Sequence, residues 1–251
     1  MNQILVTQKL YITPELKRKK NMYKIYFFIS VFLMCVLISA GIYAEYDRNK
    51  GEGTSQEILG NFNSGMEENL MAQKKALIVI LDDAEQTEQI AEENKIEEKA
   101  REEAIANDVK TTATGYQYKT IANISIPKIN VNYAITDGQT HSIEETEALL
   151  KESPTKFWGA NPNEAGNFCI VGHNYRNKKF FSKVPTLENG DIIEITDNKN
   201  RKLQYFVYDK YEVVPEDVDC LTQPNDDRVE ITLITCTNDS QKRVIVKAKA
   251  K

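Results

Sequence analysis

Histidine and cysteine are both scarce, with two and four among 251 residues. Two imidazoles do not build a multi-histidine metal centre. The cysteines, at positions 35, 169, 220 and 236, are too few and too scattered for a disulfide framework and lack the C-x-x-C spacing of a zinc site. Basic charge is short as well: the formal net charge is −5, and no dense Lys/Arg stripe occurs beyond the extreme N-terminus. That argues against a nucleic-acid partner. No internal repeat is present, and the length suits one or two domains.

Long apolar runs are limited to one. Residues 1–24 are polar and basic, with Lys9, Lys17, Arg18, Lys19, Lys20 and Lys24 against a single acidic residue, Glu15. Residues 25–44 follow without a charge. As a helix this run spans about 30 Å, the thickness of a bilayer's hydrocarbon core. Tyr23, Tyr26, Tyr43 and Tyr46 sit near its ends, where amphipathic rings are favoured. Flanking positive charge predicts a cytoplasmic N-terminus and an extracellular remainder. A cleaved signal peptide is the alternative; the run is long for one, and Ser39-Ala40-Gly41 is only a fair cleavage site.

Residues 45–115 read as a linker and stalk. The stretch 47–75 is rich in Gly, Asn, Ser and charge, which predicts a linker. Ala76–Leu81 is an apolar island too short to span a membrane. From Asp82 to Glu103 glutamate dominates among good helix formers, which predicts an exposed, solvated helical stalk. Thr111–Gly115 ends that pattern.

From residue 116 the texture changes to short β-runs separated by turns. Ile121–Ile126 and Ile129–Ile135 alternate, and Phe168–His173, Asp191–Thr196, Leu203–Val214, Ile231–Cys236 and Arg243–Val246 follow. Residues 142–151 read as a short helix, and 178–184 as one or two helical turns. Seven or eight short strands with few helices predict a closed or nearly closed barrel over 116–251.

Two of these runs end on reactive side chains. Cys236 closes one strand, and Arg243 opens the next after a short polar turn. His173 ends another, between Gly172 and Asn174-Tyr175-Arg176-Asn177. Each residue has an ordinary reading alone: a small buried hydrophobe, a satisfied polar group, a rim charge. Together a thiol, an imidazole and a guanidinium at strand ends suit cysteine-nucleophile transpeptidation. His141, in a loop beside Asp137-Gly138, is the weaker histidine candidate.

The motifs also carry a family resemblance. Thr232-Leu233-Ile234-Thr235-Cys236 resembles the nucleophile motif of the sortases, and Val171-Gly172-His173 their histidine motif. Arg243 stands where the third family residue does. Ile124–Val131 resembles the family's opening strands, and Asp137-Gly138 and Leu187–Asp191 its turns. The resemblance covers most of the chain beyond residue 116. It implies a mainly β fold, an eight-stranded sortase-type β-barrel with short helices, here preceded by the transmembrane helix and helical stalk. It implies that Cys236 attacks the Thr–Gly bond of an LPXTG-like sorting signal on a secreted protein. His173 would exchange protons, Arg243 would stabilise developing charge, and Thr235 would help to position substrate. A cell-wall precursor amine would resolve the thioacyl-enzyme outside a Gram-positive-type membrane.

Val213–Leu221 corresponds to the family loop that grips the sorting signal. Some sortases bind calcium through an acidic cluster before the histidine strand; Lys156 to Asn167 holds only Glu164 here, so no metal or other cofactor is expected. Pilus-assembling sortases often carry a lid and a second span. Neither is read in this chain, which favours wall anchoring, with a pilus-polymerising sortase as one alternative. A catalytically silent display module and a papain-type hydrolase are the others; the latter sits badly with His preceding Cys in the chain.

Overall fold

The computed structural model describes residues 14–82 and 109–251. Its contacts divide the chain into two units, one ending at Asp47 and the other running from Arg48 onward. Helix α1, Pro14–Asp82, contributes to both. Proline at its first position costs nothing, because that N–H has no helical partner. Within it the apolar run is long and apolar enough to cross a membrane, with a mean hydropathy of 2.5 over its best window and none of that window buried. It is apolar on all sides, as a lipid-facing helix is.

The stretch 47–75, expected as a linker, is helical instead. Its glycines weaken intrinsic helix preference, and tertiary packing overrides that weakness. Ile58 and Leu59 bury against Tyr118, Ala134 and Leu149 in a small apolar cluster. Gly51 permits a close approach: a Cβ there would lie 2.3 Å from the Lys151 carbonyl oxygen. The island at 76–81 continues the helix as backbone. Apart from Asp82, the expected acidic stalk at 82–103 lies outside the described residues.

Eight strands close into a barrel. In chain order they are β2 (Gln117–Ile126), β3 (Val131–Gly138), β4 (Thr155–Gly159), β5 (Gly166–Val171), β6 (Ile192–Asp197), β7 (Lys202–Val213), β8 (Val229–Cys236) and β9 (Arg243–Ala250). Around the wall they run β2-β3-β4-β5-β8-β9-β7-β6, and β6 pairs back onto β2. A two-residue strand β1, Lys110–Thr111, adds to β2. Most pairs are antiparallel; β3–β4 and β5–β8 are parallel. The short helix expected at 142–151 is present as α2, Ile143–Leu150, capped by the Ser142 hydroxyl accepting from the Glu145 N–H.

Alternation sorts each strand into two faces. Ile124, Ile126, Val131, Tyr133, Ile135, Phe168, Ile170, Ile231, Leu233, Val244 and Val246 fill the barrel interior. Residues of opposite parity, Cys169, Ile234 and Ile245, form a second cluster on the outside of the wall. Cys220, Tyr211, Val213 and Leu221 cover it. Cys169 and Cys220 are therefore buried free thiols, and burial pushes the Cys169 thiol up to about 12.

Two local expectations differ. Strand β4 was not read from the sequence: it is five residues long, between Pro154 and the positive-φ Gly159, and carries a register shift between Lys156 and Trp158. The one or two helical turns expected at 178–184 form only in part, as isolated turns without a regular helix. Lys178 and Phe180 have φ of 69° and 49°, which a right-handed helix forbids; beyond them single i→i+3 bonds close turns at Lys179–Ser182 and Phe181–Val184, and Val184–Thr186 is a 3₁₀ helix.

Candidate active site

Strand β8 ends at Cys236 and β9 begins at Arg243, and the two residues pair directly across the ladder. The turn between them is closed by the Thr237 N–H on the Lys242 carbonyl (3.0 Å) and by Asp239, which accepts from Thr237 and Gln241. Directly opposed residues share a face of the sheet. The Arg243 guanidinium accordingly reaches the thiol, with Nη1 donating to Sγ at 3.3 Å. Both residues are part-buried, unlike the sealed thiols at 169 and 220.

Parity puts Cys236 on the same face as Ile234, so the thiol sits on the outer wall of the barrel, at the rim of the second apolar cluster. The expected substrate loop, Val213–Leu221, supplies Val213, Cys220 and Leu221 to that cluster. A part-buried thiol and a guanidinium thus stand side by side at the end of that covered cluster, an arrangement suited to a cysteine nucleophile. A polar staple fixes the far side of the loop. Buried Asn167 donates through Nδ2 to the Cys220 (3.0 Å) and Thr222 (3.2 Å) carbonyls, and its Oδ1 accepts from the Thr232 hydroxyl at 2.8 Å.

The parallel pairing of β5 with β8 brings His173 to this place. Val171 lies opposite Ile234. On either side of His173, the Gly172 N–H donates to the Ile234 carbonyl (3.0 Å) and the Asn174 Nδ2 to the Cys236 carbonyl (2.9 Å). The histidine is thus bracketed between two bonds to the last three residues of β8. Burial, with a smaller contribution from the Lys151 charge, lowers the His173 imidazole to about 4, so the ring is neutral at neutral pH.

Thr235, expected to help position substrate, faces the other way. It is 1% exposed, and its hydroxyl donates to the Gly172 carbonyl at 2.8 Å. It anchors the residue before His173, on the side of the sheet opposite Cys236. His141 lies in an exposed loop, 3.8 Å from Asp137, and does not join the three. Among the described residues no cluster of three or more His, Cys, Asp or Glu could hold a metal ion. Asn174 was missed in the sequence; its position after a strand-ending histidine was visible, but its partner 62 positions away was not.

Known proteins resemble this chain over its C-terminal half. The model of the sortase domain matches residues 124–251. A Clostridium perfringens sortase D5 transpeptidase is 33% identical over 61% of this chain and 88% of its own, with a TM-score of 0.49. Sortase A from Corynebacterium diphtheriae is 30% identical over 53% of this chain and 60% of its own (TM-score 0.46). A Clostridium perfringens sortase C, solved with the C-terminal cell wall sorting motif, is 25% identical over 51% and 69% (TM-score 0.43). A search among curated proteins found no match.

Proposed function

The chain belongs to the sortase family, and on that premise we propose that it is a membrane-anchored transpeptidase joining secreted proteins to a cell-wall amine. The observation that carries this reading is the Cys236–Arg243 pair, in register across β8 and β9 at 3.3 Å, with His173 bracketed onto the end of the same strand.

Neutral His173 takes the proton of the Cys236 thiol, and Arg243 favours the thiolate that remains. The sulfur adds to the carbonyl carbon of the Thr–Gly bond in an LPXTG-like signal. Negative charge develops on the carbonyl oxygen, to which the Arg243 fork donates. Collapse breaks the C–N bond; the imidazolium returns its proton to the leaving amine, and a thioacyl-enzyme is left. The incoming amine adds to the thioester carbonyl, loses a proton to His173, and expels the thiolate. Thr235 contributes by holding Gly172, not by touching peptide. The apolar outer cluster with Val213 and Leu221 supports a pocket for the Leu-Pro pair.

The apolar segment of α1 is a candidate anchor. The basic residues before it favour a single-pass arrangement, N-terminus in the cytoplasm and barrel outside. No step here calls for a cofactor. Mass spectrometry of the products from an LPXTG-type peptide, with and without an amine acceptor, tests the proposal. Transfer that vanishes in Cys236→Ala is expected. Hydrolysis alone under excess amine, or undiminished activity in Cys236→Ala, overturns it.

A further inference from the structure

The loop that follows His173 is built under constraint. The Phe181 N–H donates to the His173 carbonyl at 3.0 Å and closes its base. Inside it Arg176, Lys178 and Phe180 all adopt positive φ, of 60°, 69° and 49°. For a fully buried phenylalanine that conformation is disfavoured and persists only where the surroundings impose it.

Two surroundings impose it. The Phe180 ring stacks on Tyr133 (centroids 5.1 Å apart, planes 7° apart), and the Phe180 N–H donates to the Tyr133 hydroxyl at 3.1 Å. On the other side Tyr175 meets Phe180 edge-on at 5.4 Å and the His173 imidazole at 4.7 Å. A continuous row of rings therefore runs from Tyr133 to His173. The second constraint comes from α1. Lys179, the residue before Phe180, reaches out to the helix, where its Nζ meets the Glu52 carboxylate at 2.5 Å and the Asn49 Oδ1 at 2.8 Å.

That part of the helix is itself held on the barrel. Gly51 abuts the Lys151 carbonyl. The Ser153 hydroxyl donates to the Ala134 carbonyl (2.6 Å), so the Ser55 hydroxyl donates to Ser153 (3.0 Å). Ile58 and Leu59 are buried. The helix thus offers Glu52 and Asn49 from a fixed frame, not from a free surface.

We propose that Glu52 and Asn49 are positioning residues for His173: by holding Lys179 they keep Phe180 in its left-handed conformation, and the Phe180–Tyr175 contacts set the imidazole against Cys236. The helix leading out of the membrane segment is then part of the catalytic apparatus. The inference rests on the reading of His173 as the proton-transfer group. The ion pair is largely buried, its side chains 31% and 25% exposed. Its consequence is geometric, and displacement of a catalytic group by about 1 Å can cost on the order of 100-fold in rate.

The test uses the full chain in detergent micelles, with Glu52→Gln, Lys179→Met, the charge reversal Glu52→Lys/Lys179→Glu, and His173→Gln as reference. The first readout is the pH dependence of Cys236 alkylation by iodoacetamide, followed by peptide mass mapping, which needs no peptide substrate. The second is kcat and KM for peptide transfer. The single variants should move the alkylation profile toward that of His173→Gln and lower kcat about tenfold or more with KM within about twofold. The reversal should restore both. Alkylation profiles of Glu52→Gln and Lys179→Met that coincide with wild type overturn the proposal, as does a loss in the singles that the reversal leaves uncorrected. If no sorting peptide is processed by wild type but the profiles still shift and recover, the positioning role stands and the transpeptidase reading falls.

Discussion

Replacing Asn167 by alanine should loosen both the barrel wall and the loop beside the thiol. The side chain is fully buried and makes three hydrogen bonds: to the Cys220 and Thr222 carbonyls and from the Thr232 hydroxyl. Alanine removes all three and strands a buried Thr232 hydroxyl. A net bond contributes about 1 kcal/mol, and an unsatisfied buried partner adds about 1–3 kcal/mol. The expected destabilisation is about 3–5 kcal/mol, or roughly 10 °C in Tm for a domain of this size. Thr232→Val alone should cost less, and the double variant should fall short of additivity by about 1–2 kcal/mol, because Thr232 is no longer stranded. Thermal denaturation of the four forms measures this. Kinetics add a second reading. Freeing the 213–222 segment should raise KM for a sorting peptide more than it lowers kcat. A loss below about 1 kcal/mol, or strict additivity of the two changes, would refute the reasoning.

Other outcomes follow from the same geometry. Arg243→Lys keeps the charge but loses the planar fork, so kcat should drop about tenfold or more, and Arg243→Ala should cost on the order of 100- to 1,000-fold, with Tm nearly unchanged; steady-state kinetics with a fluorogenic sorting peptide decides this. Gly172→Ala would place a Cβ 2.5 Å from the Phe181 ring, so both Tm and the rate of Cys236 alkylation should fall. His173 binds its proton less readily in the fold (about 4) than in the unfolded chain (6.5). Between those values the unfolded state holds more protons, so stability should decline as pH falls from about 6.5 through about 4. His173→Gln should flatten that part of a pH–Tm profile; an unchanged slope would show the imidazole is not buried as described.

Much of the barrel was legible because its strands alternate. Ile121–Ile126 and Ile129–Ile135 announce a face every second residue, and in β8 the same parity decides that Thr235 points inward while Cys236 points outward. Applied at Thr235, it would have argued against a substrate contact from the sequence alone. Strand β4 was illegible: five residues with a register shift give no period to read. The helical course of 47–75 was illegible for a different cause. Its local composition favours a linker, and the partners that make it a helix, Tyr118, Ala134 and Leu149, are distant in the chain.

By itself the sequence determined where the apolar span lies, which candidate side chains end its strands, and that a short turn would set Cys236 beside Arg243, since a hairpin is a local event. Only the tertiary structure decided that the His173 backbone is drawn to the end of β8, where Gly172 and Asn174 on either side of it bond to the Ile234 and Cys236 carbonyls. That placement depends on the parallel pairing of β5 with β8, two strands nearly sixty residues apart, selected by burial on both faces of the wall and not by any local pattern. The tertiary structure alone likewise decided that a turn of the N-terminal helix grips Lys179. Ion pairs and ring stacks form where packing brings their members together, and separation along the chain carries no trace of that.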